Sequence, residues 1–201
     1  MITVVDYGMG NLGSIKNMLK KIGHAVSVSG DSKDIKAATK IILPGVGSFD
    51  EGMARLKSSG LLDILNTKAL KQKAPVLGIC LGMQMLFEGS DEGTAPGLGW
   101  LNGRCVRFAP GNGLKVPHMG WNLLTPENGN PLLKGLTDSS RFYFVHSFHA
   151  RCADPADVAG TAEYGIEFTA AVARGNIMGV QFHPEKSHRF GMAVLDNFAR
   201  L

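Results

Sequence analysis

Apolar residues in the first half of the chain alternate between short continuous runs and stripes at helical spacing. Residues 2–5 form an apolar run that predicts a strand, after which Ile15, Met18, Leu19 and Ile22 recur as one face of a helix. Residues 25–28 and 40–43 predict two further strands, and helical segments follow around 49–57 and 61–71. Residues 74–79, opened by Pro75, predict a buried strand, with Met83, Met85, Leu86 and Phe87 supplying a helix behind it. The pattern then changes. Shorter runs near 103–108, 116–124 and 142–148 predict mostly strands. Residues 167–173 and 177–182, split by Arg174-Gly175-Asn176, predict a hairpin, and Phe190, Val194, Phe198 and Leu201 a closing helix. The expected fold is therefore α/β: a mostly parallel open sheet flanked by helices, with additional antiparallel strands in the second half. No linker or low-complexity stretch interrupts residues 1–201, which are expected to form a single domain.

The junction at Gly78-Ile79-Cys80-Leu81-Gly82-Met83-Gln84 carries the most chemistry. A cysteine at a strand-to-helix elbow points away from the sheet, and flanking glycines remove Cβ atoms that would clash in the tight turn. Free N–H groups and the dipole of the following helix favour thiolate over thiol. A buried, inert cysteine is the ordinary alternative. A nucleophilic cysteine needs a base, and of the six histidines His183 differs from the rest. It ends a predicted strand, Pro184 holds the next step extended, and residues two apart on extended chain share a face, which brings Glu185 beside the ring. Such an acid fixes the tautomer and steadies the imidazolium.

Gly78-x-Cys80-x-Gly82-x-Gln84 with the distant His183-Pro184-Glu185 resembles the Cys-His-Glu triad of class I, triad-type glutamine amidotransferases. Asp6-Tyr7-Gly8-Met9-Gly10-Asn11, Leu43-Pro44-Gly45-Val46-Gly47, Pro117-His118-Met119-Gly120-Trp121-Asn122, Tyr143-Phe144-Val145-His146-Ser147 and His183-Pro184-Glu185-Lys186-Ser187 extend the likeness across the chain. Within the family they are similar to the glutaminase subunits of imidazole glycerol phosphate synthases. The resemblance implies a flavodoxin-like sheet and hydrolysis of L-glutamine through a Cys80 thioester. It implies an oxyanion hole from Val46, Gly47 and Leu81, and substrate contacts from Gly45, Gln84, Ser147 and Phe148. It also implies a heterodimer with a cyclase subunit of barrel fold, met by Asn11, Pro117, His118, Met119, Gly120 and Trp121. The cyclase would use the ammonia to make imidazole glycerol phosphate and aminoimidazole carboxamide ribotide, on the histidine pathway. No metal or other cofactor is expected.

Composition narrows the picture without identifying an enzyme. The net charge of +4 is neither clustered nor interleaved with aromatics, so no nucleic-acid partner is expected. Cys80, Cys105 and Cys152 are odd in number and widely spaced, unlike a zinc or disulfide framework. No stretch has the length of a membrane span and the N-terminus lacks a signal pattern, which makes the cytoplasm the expected compartment. Other readings stay open. Gly8-Met9-Gly10-Asn11-Leu12-Gly13 is a literal dinucleotide fingerprint with Asp31 downstream, although Asp31 stands in a turn and no hydride-acceptor pocket follows. A glutaminase subunit of another synthase, such as that of pyridoxal phosphate, and a cysteine peptidase or hydrolase of other substrate class are the remaining alternatives.

Overall fold

A computed structural model describes residues 1–109, 113–127 and 129–201. In chain order the elements are β1 (Ile2–Val5), α1 (Leu12–Lys21), β2 (Val26–Ser29), α2 (Ser32–Ala37), β3 (Lys40–Gly45), α3 (Phe49–Ser58), α4 (Leu62–Asn66), β4 (Val76–Cys80) and α5 (Leu81–Gln84). Then come β5 (Gly103–Arg107), β6 (His118–Leu123), β7 (Thr125–Pro126), β8 (Arg141–His146), β9 (Phe148–Cys152), β10 (Val158–Glu163), β11 (Glu167–Arg174), β12 (Ile177–Val180) and α6 (His188–Arg200). One sheet runs β2-β1-β3-β4-β12-β11-β10-β7, with β9 joined to β11 and β5 to β9, while β6 and β8 pair separately. The strands from β2 to β12 in that order are parallel, and those beyond β12 antiparallel. The expected architecture is the one found.

The central strands are apolar throughout because helices cover both faces of the sheet. Val4, Ile42, Leu77 and Ile79 enter one core with Ile15, Leu19 and Phe198; Val5, Ile41, Leu43 and Val76 enter the other with Phe49, Leu56 and Leu65. Successive strand residues thus serve opposite cores, as the two-residue strand period requires.

Register then assembles the site. In β3 and β4 Gly45 pairs with Cys80, and in β12 and β4 Val180 pairs with Ile79. Three segments distant in sequence therefore end side by side at the carboxyl edge of a parallel sheet, where ligands bind in open α/β folds. β4 carries Cys80 at its end, β3 runs into Val46-Gly47 on one side, and β12 runs toward His183 on the other.

Four local expectations need correction. The helix after the elbow is one turn long: Met85, Leu86 and Phe87 leave it because their carbonyls accept from the N–H groups of Leu98, Gly99, Trp100 and Leu101 instead. The segment near Asp31 is a helix start, with the Asp31 carboxylate capping Lys33 N–H at 2.7 Å. That carboxylate is thereby committed to α2, and Gly13 has open space where a dinucleotide fingerprint needs close packing, so the fingerprint is a coincidence of loop glycines. The second arm of the hairpin stops at Val180 rather than Phe182. Finally, Pro184–Lys186 is a single 3-10 turn and not extended chain.

Candidate active site

Cys80 holds a backbone conformation that few side-chain-bearing residues adopt, φ 53° and ψ −110°. Such a conformation costs about 1–3 kcal/mol and persists only where packing over-determines it. The packing is visible at its glycine neighbours. A Cβ on Gly82 would lie 1.9 Å from the Leu43 carbonyl oxygen, and one on Gly78 would lie 2.7 Å from the backbone of Gly82 and Met83. The glycines therefore admit the α5 turn against β3 and β4, and the strained angle belongs to the cysteine itself. Because α5 is four residues long, a helix dipole adds little; the free N–H groups of its first turn remain.

His183 leaves β12 in an extended conformation, and the turn after it is closed by Lys186 N–H and by Ser187 Oγ, both donating to the His183 carbonyl. The turn, rather than a shared strand face, brings Glu185 back to the ring: Nδ1 donates to Glu185 Oε1 at 2.9 Å, with both side chains 1% exposed. Nε2 is thereby left facing its own chemistry. It is buried and forms no hydrogen bond of proper geometry among the described residues, and Glu185 Oε2 is in the same position. Cys80 is nonetheless near enough to act on the ring. Burial alone would depress the His183 pKa, but the Cys80 sulfur and then the Glu185 carboxylate outweigh it and raise the value to about 10. Catalytic hydrogen bonds are often long in unliganded sites and tighten with substrate.

A cavity of about 420 Å³ opens over Cys80. Of the residues singled out in the sequence, Val46, Gly47, Leu81, Gln84, Ser147, Phe148 and His183 line it with Cys80. Gly45 does not. It is buried beneath the loop, where a Cβ would stand 2.8 Å from Gly82 N, so its lack of a side chain lets β3 approach α5. Gln84 is buried and gives its amide protons to the Phe148 carbonyl (3.0 Å) and Gln181 Oε1 (3.1 Å). Gln181 in turn donates to Cys80 Sγ at 3.8 Å.

Several wall residues escaped the sequence reading. Glu92, Val145, His146 and Lys186 also line the cavity, and Tyr7 donates to the Pro44 carbonyl at 2.6 Å, steadying the turn before Val46. Burial, helped by nearby Cys80, raises the Tyr7 pKa far enough to keep the hydroxyl a donor. Lys186 adjoins the triad in its own turn, and Tyr7 belongs to the motif that opens the likeness; Glu92 and Gln181 carry no local signal.

The residues expected at a partner contact divide by strand face. Met119 (61% exposed) and Trp121 (47%) project outward from β6, whereas His118 (3%) points inward. His118 is thus corrected from contact residue to core residue, because alternate strand positions face opposite ways. Pro117 belongs to the cavity wall, and Asn11 immediately precedes α1 without a side-chain capping hydrogen bond. Among the described residues no group of three or more potential ligands for a metal ion occurs, and no helix is long and apolar enough to cross a membrane.

Residues 3–201 match the family model described as glutamine amidotransferase class-I. Over 200 residues the chain is 54% identical to imidazole glycerol phosphate synthase subunit HisH 2 of Methanococcus maripaludis, covering 100% of this chain and 99% of that protein. It is 51% identical to the subunit of the same name from Pseudomonas aeruginosa, over the full length of both, and 52% identical to subunit HisH of Bdellovibrio bacteriovorus, again over the full length of both. Among solved structures it superposes on PurLQS from Thermotoga maritima with a TM-score of 0.74 at 21% identity, covering 99% of this chain and 97% of that one. A glutamine amidotransferase from the same organism gives 0.67 at 20% identity, covering 97% and 80%. At such identities these two matches bear on the fold alone.

Proposed function

The chain belongs to the class I glutamine amidotransferases, and from that premise we propose that it is the glutaminase subunit of an imidazole glycerol phosphate synthase, with Cys80, His183 and Glu185 as its catalytic triad. The observation that carries this reading is the parallel register that sets a strained cysteine beside a histidine already bonded to a buried carboxylate.

His183 and Cys80 exchange a proton, leaving thiolate and imidazolium. The thiolate attacks the side-chain amide carbon of glutamine, and the developing oxyanion is met by the N–H groups of Val46, Gly47 and Leu81. Each such donor is worth roughly 3 kcal/mol in a preorganised site. The tetrahedral intermediate collapses as imidazolium gives its proton to the departing nitrogen. Ammonia leaves, a thioester remains, and water deprotonated by His183 cleaves it to glutamate. Ser147, Phe148 and Gln84 hold the amino-acid end of the substrate. With both Gln84 amide protons given to protein acceptors, its carbonyl oxygen is what remains for the substrate ammonium, beside the acidic Glu92.

Ammonia would pass to a cyclase subunit of barrel fold in a cytoplasmic heterodimer, forming imidazole glycerol phosphate and aminoimidazole carboxamide ribotide in histidine biosynthesis. The outward Met119 and Trp121 support a partner surface on β6, since large exposed apolar side chains grouped on one strand favour burial. We take residues 1–201 as one amidotransferase domain. Cys80→Ala, assayed with the cyclase present, is expected to reduce glutamate release to background while leaving the circular dichroism spectrum unchanged. Retained turnover would remove Cys80 as nucleophile, and turnover of peptides or esters in preference to glutamine would remove the glutaminase reading.

A further inference from the structure

Two buried histidines that the mechanism does not use join β6 to the substrate pocket. His146 Nδ1 lies 2.8 Å from the Phe148 carbonyl, His118 Nδ1 lies 3.1 Å from His146 Nε2, and Asn122 Nδ2 lies 3.3 Å from His118 Nε2. Acceptor chemistry sets the direction. A carbonyl oxygen only accepts, so His146 carries its proton on Nδ1 and, when neutral, presents Nε2 as an acceptor. His118 must then donate from Nδ1, and its own Nε2 accepts from Asn122, whose second amide proton goes to the Glu163 carbonyl at 2.7 Å. The Phe148 oxygen accepts Gln84 as well, and through Gln84 and Gln181 the chain reaches Cys80 Sγ.

The surroundings hold these rings in one state. His118 is stacked between Phe144 (4.9 Å between centroids) and Tyr164 (4.2 Å), and Phe108 lies against His146 at 5.1 Å. A ring flip of either histidine would exchange donor and acceptor and leave a buried polar atom unpaired. Burial depresses the pKa of His118 to about 4 and of His146 to about 3, so neither is charged near neutral pH.

We propose that His118 and His146 are positioning residues for the glutamine pocket, a neutral one-directional relay that fixes the Phe148 carbonyl and, through it, the Gln84 and Gln181 amides beside Cys80. The inference rests on the glutaminase reading. It assigns the relay chiefly to binding of the amino-acid end, because it meets the pocket at Phe148 and Gln84 and reaches the sulfur only through two further hydrogen bonds.

His118→Phe keeps the ring between Phe144 and Tyr164 but leaves His146 Nε2 without a donor, whereas His118→Asn returns an amide N–H near the Nδ1 position. In the complex with the cyclase, His118→Phe is expected to raise the KM for glutamine about tenfold, the equivalent of about 1.4 kcal/mol, with kcat within about threefold of wild type. His118→Asn should bring KM back to within about threefold on the same scale. An unchanged KM, a loss confined to kcat, or failure of the asparagine variant to restore KM would overturn the relay. Wild type measured alongside separates the two readings, since a wild-type complex that does not hydrolyse glutamine refutes the glutaminase assignment instead. If His118→Phe does not fold, nitrogen-15 spectra of histidine-labelled wild type decide the matter. Both rings should be neutral and protonated at Nδ1 at neutral pH, and an Nε2–H tautomer at either position overturns the proposal.

Discussion

Replacing Glu185 by glutamine removes the charge opposite His183 and keeps the shape. The Nδ1 to Oε1 distance is 2.9 Å and both side chains are 1% exposed, so water does not screen the pair. Two charges about 4 Å apart attract by about 4 kcal/mol at an effective dielectric near 20, which sets an upper bound. Exchanging a charged for a neutral hydrogen bond costs about 1–2 kcal/mol and sets a lower one. Cys80 makes a larger contribution to the raised pKa than Glu185 does, so the loss should fall in the lower half of that range, about 1–2.5 kcal/mol or about 0.7–1.8 pKa units. From a wild-type value of about 10, the ring should titrate roughly 0.7–1.8 units lower in the variant.

In the proposed mechanism imidazolium is the acid that protonates the departing nitrogen, so the alkaline limb of kcat/KM should follow the ring. For wild type the limb is expected near 10, and for Glu185→Gln it should move down by the same margin. The assay is glutamate release across pH in the complex, with an NMR titration of the His183 ring as the direct check. A limb that stays within half a unit of wild type would refute the electrostatic role given to Glu185. Stability carries the same sign. The folded-state value lies above the ordinary histidine value of 6.5, so the protonated ring's contribution is complete below that value and is lost as pH rises through about 10. Melting temperatures of wild type and His183→Ala should accordingly converge over that window.

Other substitutions probe the scaffold. Gly82→Ala puts a Cβ 1.9 Å from the Leu43 oxygen, and thermal unfolding should show a loss of several kcal/mol, about 3 or more, or no folded protein; a wild-type melting temperature would contradict the packing account of the elbow. Asp157 is buried and accepts from Arg174 Nε at 2.9 Å; since Arg174 is about a third exposed, Asp157→Ala should cost only about 1–2 kcal/mol in urea denaturation. Met119→Asp and Trp121→Asp should each weaken association with the cyclase at least about tenfold by titration calorimetry, in line with large apolar anchors, with the melting temperature of the isolated Met119→Asp chain unchanged.

The parts of the site that were legible in the sequence are those built by consecutive residues. Gly78, Cys80 and Gly82 announce a tight elbow because an unusual backbone requires a particular residue at each step, and His183 with Glu185 announces a paired ring because both belong to one turn. The extended chain expected there is not what makes the pair: a 3-10 turn does, and Pro184 is compatible with either conformation. The α5 boundary was illegible for a different reason. Met83, Met85, Leu86 and Phe87 are all buried, as an apolar helix would be, and only the backbone N–H groups from residues 98–101 end the helix early. Periodicity reports burial, and it is silent about which partner takes a carbonyl.

The linkage of Gln84, Gln181, His118 and His146 lies beyond that limit, because nothing in their immediate sequence distinguishes a linked polar residue from an isolated one. Their connection exists only once β4, β6, β8, β9 and the end of β12 are brought together. It also answers a question that the elbow raises. A strained cysteine with φ 53° needs neighbours that cannot relax away from it, and Gly78 and Gly82 supply that constraint below the sulfur through backbone contact alone. Beside the sulfur the constraint is polar. Gln181 donates to Cys80, Gln84 holds Gln181, and the Phe148 carbonyl holds Gln84. Each link uses a group that is buried and would cost about 1–3 kcal/mol if left unpaired, so each link holds its neighbour in place. The pocket strand and the nucleophile are therefore positioned by one polar network rather than by two independent ones, and a change in the Phe148 carbonyl must be felt at Gln84 before it can be felt at the sulfur.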